Sequence, residues 1–543
     1  MVGGNALIRA VAGAVTATLL ATSCGQAPNT AATPSATAIV ASAETPRSGG
    51  SFVIAIAGDP QTLNLNLTTD TNASYAASGI FNGLVALDQN FLPTPDLAES
   101  WTVSPDGKRY DFKLAKNALF HDGTPVTSED VRFSALDIAG KYLSLSIPIF
   151  KNIATVETPD ANTIVFTLKA PSAIFLNSLG VAGLAVMPKK LYEGSDPRNN
   201  PYNSKPIGSG PFKFKEWVKG DHVTLVKNDR YFKKGLPYLD EHIARIIPDG
   251  GSRTIAFQKG DVDYIPGQIV TREQVPDLKK VAGYQEWDHA GAPGELLVYF
   301  NVTAKPFTDA RVREAFVRAI DQKEIVEKAY FGVGAEVATS HIPKDLKAFH
   351  DPSVKLPAFD VAKANALLDD AGLKKGADGV RAKVRLAYAN TDGSSKNASA
   401  VLRDRFTDIG VQTTIQVIDT TVVANSVFGK GDFDIFLAQV TSKGDPELGI
   451  ARFYVTSSIG ENFGNGSRYT NPEIDKAFAD GGSTIDPAAR KAAYARVQQI
   501  LAKDLPTFPL VDKVNLDFAR PEIGGVFQAP YEYYRQEVLW RRK

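Results

Sequence analysis

Pro95-Asp96-Leu97-Ala98-Glu99-Ser100-Trp101 runs into Thr102-Val103-Ser104-Pro105-Asp106-Gly107-Lys108-Arg109-Tyr110-Asp111-Phe112-Lys113-Leu114, and Phe120-His121-Asp122-Gly123-Thr124-Pro125-Val126-Thr127-Ser128-Glu129-Asp130-Val131 follows closely. Apolar side chains alternate on both sides of Ser104-Pro105-Asp106-Gly107. That pattern around a Pro-Asp-Gly turn predicts a β-hairpin. His121-Asp122-Gly123 reads as a polar turn in which Asp122 or Thr124 bonds nearby backbone. Thr163-Ile164-Val165-Phe166-Thr167-Leu168 alternates in the same way and predicts a further strand. Prolines at 197, 201, 206 and 211 then punctuate the chain and mark a boundary.

Further along, the period changes. Thr308 or Asp309 can cap a helix in which Val312, Phe316, Ala319 and Ile320 share one face. Gly332 and Gly334 stop the helical pattern. A strand is expected at Val384–Tyr388, then a helix carrying Val401, Leu402, Phe406 and Ile409 and closed by Gly410. Another strand follows at Thr414–Val417, and Phe433–Gln439 reads as a buried strand. Strands alternating with helices predict an α/β fold, in which ligands sit beyond the carboxyl ends of strands. The loop Val440-Thr441-Ser442-Lys443-Gly444-Asp445-Pro446 is a binding-site candidate by position.

The chain has 543 residues, with 60 basic and 60 acidic side chains and one cysteine. Its length suggests two to four domains at about 150 residues each. No basic stripe points to nucleic acid. The single cysteine, Cys24, follows Arg9 and an apolar run from about Ala10 to Ala21. That run is too short to cross a bilayer and reads as a secretory signal over residues 1–23. A cysteine at the cut resembles the lipobox of bacterial lipoproteins, although Ala21 stands where Leu is usual. Cys24 is therefore a candidate lipid anchor on a membrane surface. Residues 24–50 are rich in Ala, Thr, Pro and Ser and read as a flexible linker. A body without cysteine has no internal disulfide and no thiolate metal site.

Catalytic signatures are missing from the sequence. Gly208-Ser209-Gly210 lacks the spacing of a nucleophile elbow, and Gly332-Val333-Gly334 lacks a third glycine. His121, His222, His242, His289, His341 and His350 are scattered, without metal-ligand spacing. A non-enzyme without cofactor or metal is expected.

The opening stretch closely resembles the signature of the family 5 extracellular solute-binding proteins, the oligopeptide-, dipeptide- and nickel-binding receptors of ABC importers. Further similar motifs follow in order. They are Gly208-Ser209-Gly210-Pro211-Phe212 with Trp217, Phe257-Gln258-Lys259-Gly260-Asp261-Val262-Asp263, Phe300-Asn301, Pro306-Phe307, Asp309-Ala310-Arg311-Val312-Arg313 and Ala319-Ile320-Asp321. The resemblance runs from about Gly50 to the C-terminus. It implies an α/β, two-lobed periplasmic-binding-protein-like clamp of type II with an extra small domain. Domain I would combine residues 50–90, 200–300 and 501–543. Domain II would be 91–199, and domain III 301–500. Hinges would lie near Phe300-Asn301 and Phe508-Pro509-Leu510.

By the same resemblance the protein captures a peptide or similar small polar solute between its lobes. It then delivers the solute to an ABC permease and ATPase, acting as a monomer in the periplasm or at the cell surface. An opine, a sugar or a metal chelate is the alternative ligand, and an envelope signalling or chaperone-like binder the alternative role. Peptide receptors of this family often carry an Asp just after the strand matching Phe433–Gln439. Here Thr441-Ser442-Lys443 stands in that stretch, and a Lys443 facing the cleft would favour a carboxylate over an ammonium; a solvated loop lysine is the plain alternative. Thr69, Asp70, Thr71 and Asn72 would form the opposite wall, with Asp70 a possible ammonium partner. Tyr264, Gln268, Gln439 and Phe527 complete the candidate set.

Overall fold

The predicted hairpin is formed by strands Ala98–Val103 and Arg109–Leu114, with Trp101 opposite Phe112 and Val103 opposite Tyr110. Gly107 takes φ +68° in the turn, and Asp106 accepts from the Lys108 amide at 3.2 Å. Strands Thr163–Leu168 and Ile153–Asp160 extend it into a four-stranded antiparallel sheet. Phe112, Phe166 and Phe175 pack edge to face beneath it. Thr127 and Asp130 form a capping box that starts helix Ser128–Phe133 against the same core.

The structure is a computed structural model that describes residues 45–88, 91–287, 293–389, 393–419, 422–461, 463–527 and 535–542. The expected signal sequence, Cys24 and the expected linker as far as residue 44 lie outside the described residues. Pro46–Lys543 forms one compact unit built on three main sheets.

The second sheet has seven strands. In spatial order they are Gln285–Trp287, Asp517–Ala519, Tyr264–Ile265, Ser51–Ile56, Glu241–Ile246, His222–Lys227 and Phe212–Val218. Ser51–Ile56 sits centrally and pairs in parallel with Glu241–Ile246. Its alternate residues Phe52, Ile54 and Ile56 enter a core with Phe81, Phe212 and Leu225.

The third sheet has six strands, ordered Ala335–Val337, Thr507–Lys513, Gly294–Phe300, Ile435–Thr441, Ala382–Ala389 and Val411–Ile418. Ala382–Ala389 and Val411–Ile418 are parallel neighbours joined by helix Gly393–Asp408, the expected β-α-β pattern. Gly410 ends that connection at φ +78°. Asp309 and Asp321 cap helices Ala310–Arg318 and Gln322–Ala329 through the amides of Arg311 and Lys323. Phe300, Phe307, Phe316 and Phe406 form the aromatic centre of this core.

The crossings between sheets differ from the expected positions. Gly294–Phe300 belongs to the six-stranded sheet, paired on both edges, as does Thr507–Lys513. The chain therefore passes between the seven- and six-stranded sheets between Trp287 and Gly294, and again over Val514–Leu516. Phe300-Asn301 and Phe508–Leu510 are not crossings. Asn301 instead ties its strand end to the carbonyl oxygens of Gly431 and Phe433 at 3.0 and 3.1 Å. A fully buried run such as Glu295–Phe300 carries no alternation, so the sequence gives no sign of which sheet receives it.

Candidate functional site

A cavity of about 370 Å³ lies where segments from all three sheets meet. One wall is the stretch after the central strand Ser51–Ile56, through Thr69, Thr71 and Ser74. A second comes from the unit of the four-stranded sheet, through Leu145, Ile149 and the Gly180–Gly183 segment. Beyond the end of strand Ile435–Thr441, Thr441, Lys443 and Leu448 form the third. Gln268 closes the side next to the seven-stranded sheet.

The loop carrying Lys443 is held by buried polar bonds. Ser442 donates its amide and its hydroxyl to the Pro293 carbonyl at 2.8 and 2.9 Å. Asp445 caps the short helix Pro446–Gly449 and accepts from the Glu447 amide at 2.9 Å. Both Asp445 carboxylate oxygens also accept from Arg490 Nη2, at 2.8 and 2.9 Å. The Arg490 guanidinium lies 4.7 Å from the Phe349 ring centre and 5.4 Å from that of Tyr494. Lys443 adopts φ +53°, and at the next residue a Cβ on Gly444 would collide with the Phe91 ring. Phe91 therefore sits directly on this loop, and its carbonyl accepts from Asn177 at 3.0 Å. The Ala173 amide likewise reaches the Gly482 carbonyl at 3.2 Å. The small four-stranded unit and the segment before it thus touch the six-stranded lobe at two places.

The charges in the cavity are arranged unevenly. Asp96 pairs with Lys233 at 2.6 Å and accepts from Asn82 at 2.9 Å. Glu537 pairs with Arg535 at 3.1 Å and lies 3.9 Å from Lys233. Burial disfavours the Lys233 ammonium, yet Asp96 and Glu537 outweigh it and hold its pKa above the ordinary value. Lys443 has no ion pair or hydrogen bond among the described residues. Burial pushes its pKa down to about 8, with the nearby Arg452 charge acting in the same direction.

The expected site residues divide into two groups. Thr69, Thr71, Gln268, Thr441 and Lys443 line the cavity together. The others have structural partners. Asp70 caps helix Thr71–Ala77 through the Asn72 amide at 3.0 Å and accepts from the Gln61 amide at 3.0 Å, so its carboxylate serves its own loop. Asn72 accepts from the Ala57 amide at 3.1 Å. Tyr264 is buried with its hydroxyl on Asp517, and Phe527 packs against Tyr264 and Trp287. Gln439 lies between Ser395 and Lys513, and Ser442 is turned to Pro293.

Several lining residues had no signal in the sequence reading. Phe91, Leu145 and Ile149 look like ordinary core positions, and Val181 and Ala182 lie in a plain small-residue stretch. Only the paired glycines 180 and 183 hint at a place where backbone approaches closely.

The conspicuous family motifs are architectural here. His121 donates its amide to the Gly208 carbonyl at 2.8 Å, and its ring lies 3.1 Å from the Gly210 carbonyl. Gly208 and Gly210 press against the Gly79–Ile80 backbone, where a Cβ on Gly208 would come within 2.0 Å of the Ile80 carbonyl. His242 and His341 are buried in different sheets' surroundings, and among the described residues no three His, Cys, Asp or Glu side chains are placed to hold a metal.

Comparison with known proteins matches this arrangement. The model of the bacterial extracellular solute-binding proteins, family 5, middle region, matches residues 93–461. The chain belongs to that family. It is 28% identical over 523 residues to the oligopeptide-binding protein AppA of Bacillus subtilis, covering 92% of this chain and 93% of that one. It is 28% identical over 475 residues to the glutathione-binding protein GsiB of Escherichia coli K12, covering 84% and 88%. The structure of B. subtilis AppA with a nonapeptide superposes with TM-score 0.74 at 26% identity, over 92% of this chain and 100% of that one. That of AgaA from A. tumefacien R10 with agropinic acid superposes with TM-score 0.72 at 27% identity, over 91% and 99%. The fold is thus the two-lobed type II periplasmic-binding clamp with an additional small domain. Among the described residues no helix is long and apolar enough to cross a membrane.

Proposed function

We propose that the cavity holds a short peptide or a peptide-like solute, which the closed clamp presents to an ABC permease and its ATPase. The observation that carries this reading is the lining itself, since one cavity of about 370 Å³ draws walls from all three sheet units. Contacts to every wall exist only when the units are together, so a ligand that makes them shifts the population toward closure. Small-molecule sites span about 300–1,000 Å³, which puts this one at the small end. A short ligand fits it better than an extended nonapeptide of the kind bound by AppA. An opine-like acid is the second reading, favoured by Lys443 and by the agropinic acid in AgaA.

A thermal-unfolding titration tests the size argument. A ligand present at about a hundred times its Kd stabilises the bound form by about 2.7 kcal/mol. Pooled di- and tripeptides are expected to raise the melting temperature clearly, and pooled nonapeptides to raise it little. The reverse order would remove the short-ligand reading.

The anchor is a separate proposal, supported by Cys24 at the end of its apolar run. We propose that lipidated Cys24 holds the receptor at the membrane beside its permease, raising its local concentration there. Cys24→Ser is expected to move the protein from the membrane fraction to the soluble fraction with solute affinity unchanged. Retention of this variant in the membrane fraction would refute the anchor.

A further inference from the structure

Resting on the reading of the cavity as a solute site, we propose that Lys443 selects the ligand, and that the ligand is a short peptide-like acid of net negative charge whose carboxylate docks on the Lys443 ammonium. The charge balance of the lining carries this. The lining acids Asp96 and Glu537 are each paired, Asp96 with Lys233 behind the wall and Glu537 with Arg535, and these charges cancel. Asp70, the acid closest in sequence to the Thr69–Thr71 wall, is occupied by two backbone amides. Among the described residues, no uncompensated carboxylate is therefore left in the lining to receive a peptide ammonium. Lys443 keeps a positive charge with no partner among the described residues.

The surroundings amplify that charge. Leu87, Leu145, Ile149 and Leu448 make the adjoining walls apolar, and Phe91 packs on the next residue of the loop. Arg452, the charged group within electrostatic reach of Lys443, also forms no ion pair among the described residues and lies over the Phe453 ring at 4.7 Å. Two neighbouring cations without an acid favour an anion between or beside them. Away from water, such an attraction is worth several times its value in bulk solvent. A zwitterionic peptide gains at Lys443 but leaves its ammonium without a dedicated acid. A blocked or acidic peptide gains at Lys443 and loses nothing at the other end.

The binding free energy of such an acid also depends on pH. Lys443 loses its charge above about pH 8 in the free protein, and a bound anion holds the proton on. Affinity for the acid is expected to fall as pH rises from 8 to 10.

Native mass spectrometry of the full-length protein with three equimolar tripeptide libraries tests the proposal: free, N-acetylated and C-amidated. The N-acetylated acids should be retained at least about ten-fold over the amides, which carry no carboxylate at that end. Lys443→Met should bring the two to near parity, and Lys443→Arg should restore the preference. The melting temperature of ligand-free Lys443→Met, unchanged from the native protein, checks that the loop still folds. Equal retention of amides and acids by the native protein, or an unchanged preference in Lys443→Met, overturns the charge proposal and leaves the peptide receptor standing. Retention of nothing from any library overturns the short-peptide reading and this proposal with it.

Discussion

Replacing Arg490 with alanine is expected to lower stability by about 3–5 kcal/mol, the usual cost of leaving one member of a buried ion pair alone. Arg490 and Asp445 are only 10% and 8% exposed in their side chains, so little water can take over. The guanidinium does more than neutralise Asp445. It donates to the Gly481 carbonyl at 2.9 Å and to the Tyr494 hydroxyl at 3.3 Å, and it fills the space beside Phe349. Removing it strands an acceptor, a charge and a stacking surface together. Asp445 also starts the helix that follows Lys443, so the damage reaches the cavity wall. Solute affinity should fall along with stability. The double variant Arg490→Met with Asp445→Asn should recover much of the loss, because no charge is then buried unpaired. Urea unfolding curves of the three proteins measure this. A single variant within 1 kcal/mol of the native protein, on the scale of a surface ion pair, would contradict the assignment.

The second large effect is one of pH. Glu295 and Asp512 are directly opposite each other on neighbouring strands and are 2% and 3% exposed. Burial pushes both carboxyls up, and for Glu295 the Asp512 charge adds to it. Asp345 raises Asp512 further, while the Lys344 amide at 3.4 Å and the Lys344 charge oppose this. Glu336, opposite Asp512 on its other side, is engaged by Lys344. The folded protein thus keeps protons on this pair that the unfolded chain releases near pH 4. Stability from the pair is complete below that pH and is lost as pH rises toward and through the raised folded values.

Three desolvated histidines, His242 and His341 buried and His121 half-buried, act in the opposite direction. Burial lowers His121 and His341 to about 4 and His242 to about 3, so the unfolded chain takes up protons that the folded one refuses. Their contribution to stability rises between about pH 4 and about pH 6.5 and is complete above that. The two effects overlap, and the total pH profile cannot separate them. Comparison with the double variant Glu295→Gln and Asp512→Asn can, because the histidines are common to both proteins. One extra proton held by the native state costs about 1.4 kcal/mol per pH unit. For each proton the pair holds from pH 5 to pH 7, the native protein should lose about 3 kcal/mol relative to the double variant. Parallel stability curves for the two proteins would show that the pair is ionised as in water.

The carboxyl pair lies on strands next to the chain crossings, and the Arg490–Asp445 pair braces a loop of the cavity. Glu295 stands one residue after the start of its strand, and Asp512 two residues before the crossing at Val514. Arg490 and Asp445 brace the loop beyond the neighbouring strand, Ile435–Thr441. The centre of the six-stranded lobe is packed with rings such as Phe300, Phe307 and Phe316.

Local patterns in the sequence predicted local structure well. The Pro105-Asp106-Gly107 turn and the caps at Asp309 and Asp321 rest on contacts within a few residues, and the β-α-β run closed by Gly410 on two strands joined by one helix. Sheet membership did not yield to the same reading. Gly294–Phe300 is buried on both faces, and nothing within it says that Ile435–Thr441 and Thr507–Lys513 are its neighbours. The site divides in the same way. The loop after Ile435–Thr441 could be placed from strand order, and Lys443 does line the cavity. Asp70 reads as a free acid in sequence, but a cap and a bond to Gln61 use it up, and such use is visible only once the loop is folded. Phe91 could not be singled out because its role depends on Gly444, far along the chain and bare of any side chain.

The central claim is that this protein binds a small solute reversibly between its lobes and releases it unchanged. Native mass spectrometry of the freshly purified full-length protein, followed by chemical identification of whatever denaturation releases, tests it most directly. The account predicts one non-covalent adduct per chain, of short-peptide size, carrying net negative charge and able to rebind intact. Recovery of a chemically altered molecule after rebinding, or of bare protein that no short peptide stabilises, would contradict it.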